Sequence, residues 1–276
     1  MPAPSTTGAT LDIGRSRAPA VSRAAAILEI FAAAEGNAVG PTEIARELGI
    51  AKSSAAYICD ALVESGLARR EGAGYQLGHR LVGLGSAYLR TVDIVTTFYA
   101  VCREVAPGLQ ETVQLSILDR GLDVAYLARK EGTGPVRIAS DVGRRLVATT
   151  TATGKAMLST LPWPEVQARL RASGPLPRLT PHSIADARSL AAELEKVRAD
   201  GFAVDDEETL EGMYCVGRVV PSDDPQRGLH GVSLTMLKSQ ATRERIARCR
   251  HDLDAIASEL AVRTGYRKPR AASISS

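Results

Sequence analysis

The chain has 276 residues, 45% of them hydrophobic and 24% charged, with 34 Lys+Arg against 31 Asp+Glu for a formal charge of +3. That length holds two compact domains with a core each. So small a charge excludes a whole-molecule field that would draw in nucleic acid or membrane, and any basic footprint must be local.

Residues 1–17, rich in Pro, Ser, Thr and Gly, read as a disordered lead-in without the apolar core of a secretory signal. From Val21 to Phe31, VSRAAAILEIF repeats apolar side chains at helical spacing, with Ser22 placed to cap a first helix that ends near Gly36. In PTEIARELG, Pro41 suits a first helical turn and Glu43 the positive end of its dipole, and Gly49 stops a short second helix. IAKSSAAYICDALVESG puts Ala55, Ile58, Cys59 and Leu62 on one side of a third helix that stops at Gly66. GLARR, EGAG and YQLG follow as two strands around a tight loop. Helix, short helix, turn, helix and hairpin make the order of a winged helix-turn-helix, assigned to residues 18–80.

A helical period runs from Leu81 to about Ala106 with a break at Thr91 to Asp93, giving a linker helix over 81–93 and the first helix of a second domain over 94–266. There TVQLSIL alternates, DRG turns and DVAYLAR returns, while FAV, MYCVGRVV and HGVSLTM supply three more strands, the last two joined by PSDDPQRG. TGKAMLSTL and SLAAELEKVRADG fit helices lying on that sheet. Ile246, Cys249, Leu253, Ile256 and Leu260 mark a last helix from about Thr242, and residues 267–276 read as a flexible tail. The fold class is α+β: a winged helix followed by an antiparallel sheet carrying helices.

On the third helix Ser53, Ala56, Tyr57, Asp60 and Glu64 lie opposite the apolar side. Its first two turns, Lys52 to Tyr57, are the part that a helix-turn-helix presents to base edges, with Asp60 and Glu64 expected to point away. Lys52 suits a phosphate, Ser53 and Ser54 a phosphate or a base, and Tyr57 a thymine methyl; Arg69 and Arg70 add positive charge from the hairpin. From Met1 to Arg90, nine Lys+Arg stand against eight Asp+Glu, so double-stranded DNA would be held by a few placed contacts. A winged helix used for protein contact is the competing reading.

Signals of catalysis or metal binding are weak. Cys59, Cys102, Cys215 and Cys249 form no Cys-x-x-Cys pair, and no histidine stands at metal-ligand spacing, which argues for reduced thiols and no metal. His79, His182, His230 and His251 fall in different elements, so no triad is visible. The acidic run Asp205 to Glu208 reads as solvated carboxylates with one residue reaching inward, Cys215 as a small buried hydrophobe, and Lys155 as structural, because no Gly-rich phosphate loop accompanies it. No apolar run approaches the ~20 residues of a membrane helix, and the expected location is the cytoplasm.

TATGKAML and VRADGFAVDDEETLEGMYCVGRVV resemble the two signature segments of the effector domain in the isocitrate-lyase-regulator (IclR) family of bacterial transcription factors. GPTEIARELGIAKSS, ALVESGLARR and GYQLG resemble that family's winged helix in the same order, and the likeness spans about Ala18 to Tyr266. It implies a DNA-binding domain, a dimerising linker helix and a GAF-like effector domain, assembled as a homodimer or a dimer of dimers, with no cofactor and no catalytic residues. Carried over by alignment of the segments, the effector-binding residues are Leu146, Ala152, Thr153, Asp205, Met213, Cys215, Ser233 and Thr235. Ala152 and Thr153 stand at a helix N-terminus that favours an anion, and Ser233 and Thr235 face one side of a strand. Two departures are Tyr57, where the family often has arginine, and LVATTTATGK, with Val147 and Thr149, where it often has proline and histidine. The resulting expectation is a repressor of palindromic operators governed by a small carboxylate or aromatic-acid effector. The alternative is an enzyme acting on a small acid, with the winged helix as an assembly device.

Overall fold

A computed structural model describes residues 17–119, 121–134, 142–224 and 228–265, the side chain of residue 91 excepted. The disorder expected over residues 1–16 and the tail expected over 267–276 lie outside the described residues, as does the middle of the turn in PSDDPQRG. Two compact units divide the chain between Thr91 and Val92.

The first unit contains α1 (Pro19–Ala33), α2 (Pro41–Leu48), α3 (Lys52–Glu64), a hairpin of β1 (Ala68–Glu71) and β2 (Gly74–Leu77), and α4 (Arg80–Thr91). Ser22 does not cap α1, contrary to expectation. The helix opens at Pro19, whose fixed φ suits a first turn, after Ala18, which makes no side-chain cap bond; Ser22 is thereby inside the helix. Gly49 closes α2 in the left-handed region at φ +63, as its position suggests. Ala55, Cys59 and Leu62 of α3 are buried against Ile27, Phe31, Ile44 and Tyr75, with Ile58 at the rim of that core. The hairpin seats closely because Gly74 lacks a side chain: a Cβ there would stand 2.9 Å from the Val39 carbonyl oxygen.

The second unit runs α5 (Asp93–Val105), β3 (Thr112–Leu118), β4 (Asp123–Lys130), β5 (Arg145–Val147), α6 (Ala152–Leu158), α7 (Trp163–Ser173), α8 (Ala187–Asp200), β6 (Ala203–Asp206), β7 (Met213–Val219), β8 (His230–Leu237) and α9 (Arg243–Arg263). Among the described residues six strands form one antiparallel sheet in the order β5-β4-β3-β8-β7-β6. Thr242 caps α9, accepting from the Arg245 N–H. Two elements escape the sequence reading. Helix α7 buries only Val166 and Leu170, too few for a visible period, and β5 is a three-residue strand made by its pairing with β4.

Side chains alternate across the sheet, so one face carries Val113, Leu115, Val216 and Leu234, all fully buried on the side of α5 and α9. The other carries Gln114, Ser233, Thr235 and Cys215 toward α6. Two glycines bring α6 down on that face. A Cβ on Gly217 would lie 2.5 Å from the Ala152 carbonyl carbon, and one on Gly231 would lie 3.2 Å from the Thr153 Cβ. Leu118, Val124, Tyr126, Met157, Leu158, Leu190 and Leu194 complete the core on this side.

Candidate DNA-reading surface and buried polar cluster

The exposed side of α3 is as expected over its first two turns. Tyr57 is 78% exposed, Lys52 and Ser53 are exposed, and Ser54 and Ala56 are half-buried. Asp60, expected to point away from these turns, turns toward the wing. Its Oδ1 accepts from Arg70 Nη2 at 2.6 Å and from the Tyr75 hydroxyl at 2.8 Å, with the Arg70 guanidinium 5.1 Å from the Tyr75 ring centre. Burial and Asp60 together raise the Tyr75 phenol above its ordinary value. Arg69 pairs with Glu71 at 2.7 Å and reaches Gln76. The wing arginines are thus exposed but already partnered. Exposed pairs of this kind contribute about 0–1 kcal/mol, so a phosphate can take over either arginine at little expense.

In the second unit the register collects the polar side chains into two adjacent rows beneath the start of α6. Gln114, Ser233 and Gly217 stand abreast in one row, and Thr112, Thr235, Cys215 and Asp205 in the next. Ala152 and Thr153 cover them at the first turn of α6, which Thr151 caps by accepting from the Gly154 N–H at 3.2 Å. The Asp205 carboxylate is 3% exposed, and its Oδ1 accepts from the backbone N–H groups of Glu208 (2.8 Å) and Thr209 (3.2 Å). Burial, only partly opposed by these bonds and by Lys155, holds that carboxyl above the usual range. The half-buried Cys215 thiol is pushed up by desolvation and then by Asp205, which keeps it protonated and unreactive. Tyr126, paired across from Ser116, brings its phenol to the same cluster beside Thr153.

The acidic run needs correction. Glu208 is buried as well as Asp205, and it forms an ion pair with Lys155, whose side chain is fully buried. The loop holding Glu208 is pinned from outside, since its carbonyl accepts from the Ser183 hydroxyl at 2.7 Å and the Thr209 hydroxyl donates to the Thr150 carbonyl at 3.1 Å.

Six of the eight expected effector residues, Ala152, Thr153, Asp205, Cys215, Ser233 and Thr235, therefore come together. Met213 is half-buried two residues before Cys215 on the same face of β7, while Leu146 stands apart on the edge strand β5, packed on the core around Leu118 and Val124. Gln114 and Tyr126 were missed. The signal was present in TVQLSIL, whose alternate residues Thr112, Gln114 and Ser116 are polar, a pattern that normally marks a solvated face. Here α6 covers it and all three are buried. A separate cleft of about 100 Å³ lies between Gly108–Glu111 and α9, where Arg245 is already engaged by Glu111 and Gln240. Among the described residues no group of His, Cys, Asp and Glu is placed to hold a metal, and no helix is long and apolar enough to cross a membrane.

Comparison with known families meets this division of the chain. The IclR helix-turn-helix domain matches residues 20–72, and the C-terminal domain of bacterial transcriptional regulators of the IclR type matches residues 86–262. The chain belongs to the IclR family. It is 35% identical to the HTH-type transcriptional regulator Rv1719 of Mycobacterium tuberculosis over 72% of this chain and 76% of that one. It is 29% identical to the regulator XynR of Escherichia coli over 89% and 97%. An IclR transcriptional regulator from Alicyclobacillus acidocaldarius has the same architecture, with a TM-score of 0.76 at 26% identity over 89% of this chain and 98% of that one. As an IclR-family protein the chain is a transcriptional regulator, not an enzyme, with a DNA-binding N-terminal domain and an effector-binding C-terminal domain.

Proposed function

We propose that this IclR-family protein is a ligand-responsive repressor that binds a palindromic operator as a homodimer, or as a dimer of dimers, and changes its hold on DNA when a small organic acid occupies the buried cluster. The observation that carries the DNA reading is the composition of α3 in place: Lys52, Ser53 and Tyr57 are exposed, and the first acid along the helix, Asp60, is drawn to the wing by Arg70 and Tyr75. The leading turns of α3 then enter the major groove without a carboxylate facing phosphate. Ser53 and Ser54 bond bases or phosphates, Lys52 holds a phosphate, and the Tyr57 ring packs on a thymine methyl.

Dimerisation is supported by α4, on which Val82, Leu84 and Tyr88 are 71%, 52% and 51% exposed. Leu84 and Tyr88, one turn apart, form an apolar strip for a second copy to cover. A two-fold pair of winged helices sets half-sites about 34 Å apart, one turn of duplex. For the effector, Thr153, Asp205, Cys215, Ser233 and Thr235 supply the polar contacts, with Ala152 and Met213 as apolar wall, while Leu146 lies too far along the edge strand to join them. An occupant favours whichever arrangement binds it better and shifts the population toward it.

Fluorescence-anisotropy titration of the purified chain against its upstream DNA and against random DNA tests this reading. Tyr57→Ala is expected to reduce the ratio of specific to nonspecific affinity by roughly tenfold, about the discrimination supplied by one base pairing. Equal losses on both DNAs would remove Tyr57 from base reading. Replacing Arg69 and Arg70 together by alanine is expected to flatten the plot of log K against log salt by about 0.9 for each phosphate that the wing no longer neutralises. An unchanged slope would mean that both arginines stay with Glu71 and Asp60 in the complex.

A further inference from the structure

The buried cluster contains a side chain whose hydrogen-bonding capacity the protein itself does not use. Gln114, in the middle of β3, is 3% exposed. The Thr235 hydroxyl donates to its Oε1 at 3.3 Å, and Nε2 has no hydrogen-bond partner among the described residues. A buried amide N–H left unpaired lowers stability, so a residue of this kind at the centre of a sheet calls for a partner that arrives later. Gln114 stands abreast of Ser233 and points to the face that α6 covers, within the rows that hold Thr235, Cys215 and Asp205.

The charges of the site restrict what that partner is. Lys155, the cation next to Asp205, is committed to Glu208, and Asp205 and Glu208 are both carboxyls in the same buried region. Among the described residues of the cluster Lys155 is the buried cation, so a dianion would enter beside two acids with that cation already paired, at heavy desolvation cost. One carboxylate can be held by neutral donors, the Gln114 amide and the hydroxyls of Ser233 and Thr153. A hydroxyl on the same molecule can donate to Asp205, which takes both its backbone N–H bonds on one oxygen, Oδ1.

We infer that Gln114 is a specificity-determining contact of the effector site, its amide nitrogen donating to a carboxylate oxygen, and that the site takes a compact monocarboxylate bearing a hydroxyl group in preference to a dicarboxylate. This rests on the cluster being the effector site, and the experiment separates the two. The variant is Gln114→Met, close to glutamine in length and volume but without polar hydrogens. Before any ligand is added, its Tm stays within ~5 °C of the wild type, because removal of the unpaired buried donor offsets loss of the long bond from the Thr235 hydroxyl. A fall of more than ~5 °C would make Gln114 a structural residue bonded to Thr235 and overturn the inference.

Binding is then measured by calorimetry on the full chain with lactate, glycerate and mandelate, their analogues propionate and phenylacetate, and the dicarboxylates succinate and phthalate. Ser233→Leu serves as the variant that blocks the cluster. The expected result is tightest binding by a hydroxylated monocarboxylate, lost in Ser233→Leu and weakened about tenfold in Gln114→Met, the order for one hydrogen bond to a charged group. Loss in Ser233→Leu with unchanged affinity in Gln114→Met would overturn the role of Gln114 while leaving the site in place. Unchanged affinity in both variants would overturn the site itself. Tighter binding of the dicarboxylates, or no binding of any hydroxylated monocarboxylate, would overturn the ligand class.

Discussion

Lys155→Met is expected to destabilise the C-terminal unit by about 3–5 kcal/mol, the range for removing one partner of a buried ion pair. The Lys155 side chain is fully buried on Glu208, and the second oxygen of Glu208, Oε2, has no partner among the described residues, so the variant leaves a carboxylate in the core with nothing to neutralise it. Burial already lifts the Glu208 carboxyl from 4.5 to about 7 against the pull of Lys155. The sign follows from linkage. A carboxyl whose folded pKa is raised contributes stability that is full below its unfolded pKa and is lost as pH rises through the folded one, here between about 4.5 and 7. Without Lys155 that window extends upward, so the gap between variant and wild type widens from pH 5 to pH 8. His230 acts in the opposite sense, since burial pushes it down to about 4 and its contribution is lost as pH falls from 6.5 toward that value. His230 is common to both proteins and cancels in their difference. Urea unfolding at pH 5 and 8 measures the gap, and a variant as stable as wild type at pH 8 would mean that the pair contributes nothing. Lys155→Met combined with Glu208→Leu should recover most of the loss, because an apolar pair carries no charge to desolvate.

Gly154→Ala is expected to be nearly as damaging, about 3 kcal/mol, at the upper end of what overpacking typically causes. A Cβ at this position would lie 2.2 Å from the Ala148 carbonyl oxygen and 2.3 Å from the Ala148 Cα. These are backbone atoms of the buried turn that links β5 to α6, and no rotamer change relieves them. Relief requires α6 to lift, which carries Ala152 and Thr153 off Gly217 and disrupts the polar rows below. The same substitution has the opposite sign in α4. A Cβ on Gly85 meets nothing within 4 Å, so Gly85→Ala should stabilise its unit by about 0.5–1 kcal/mol through helix propensity. Thermal unfolding of the two variants distinguishes a steric requirement for glycine from a general intolerance of change. Equal, small effects at both positions would refute the close approach of α6 to the Ala148 turn.

Periodicity carried the winged helix and most of the α+β domain, because these elements bury regular stripes: Ala55, Cys59 and Leu62 in α3, and Cys249, Leu253, Ile256 and Leu260 in α9. It failed where burial is sparse, as in α7, or where a strand exists by pairing alone, as in β5. The candidate site was legible in outline through the glycine-lysine and acidic segments. Its chemistry was not legible. Asp60 and Glu208 have the local pattern of solvated acids, yet a partner 10 residues away, Arg70, draws Asp60 to the wing, and one 53 residues away, Lys155, holds Glu208 in the core. Polar residues alternating along β3 describe a wet face until a helix settles on it, which is why Gln114 passed unnoticed. Family, order of elements and apolar faces were readable from the chain, since those depend on residue types and their spacing. Which polar groups are buried, which charges are paired and which amide nitrogen lacks a partner follow from the tertiary structure, since desolvation and pairing depend on neighbours that chain folding brings together.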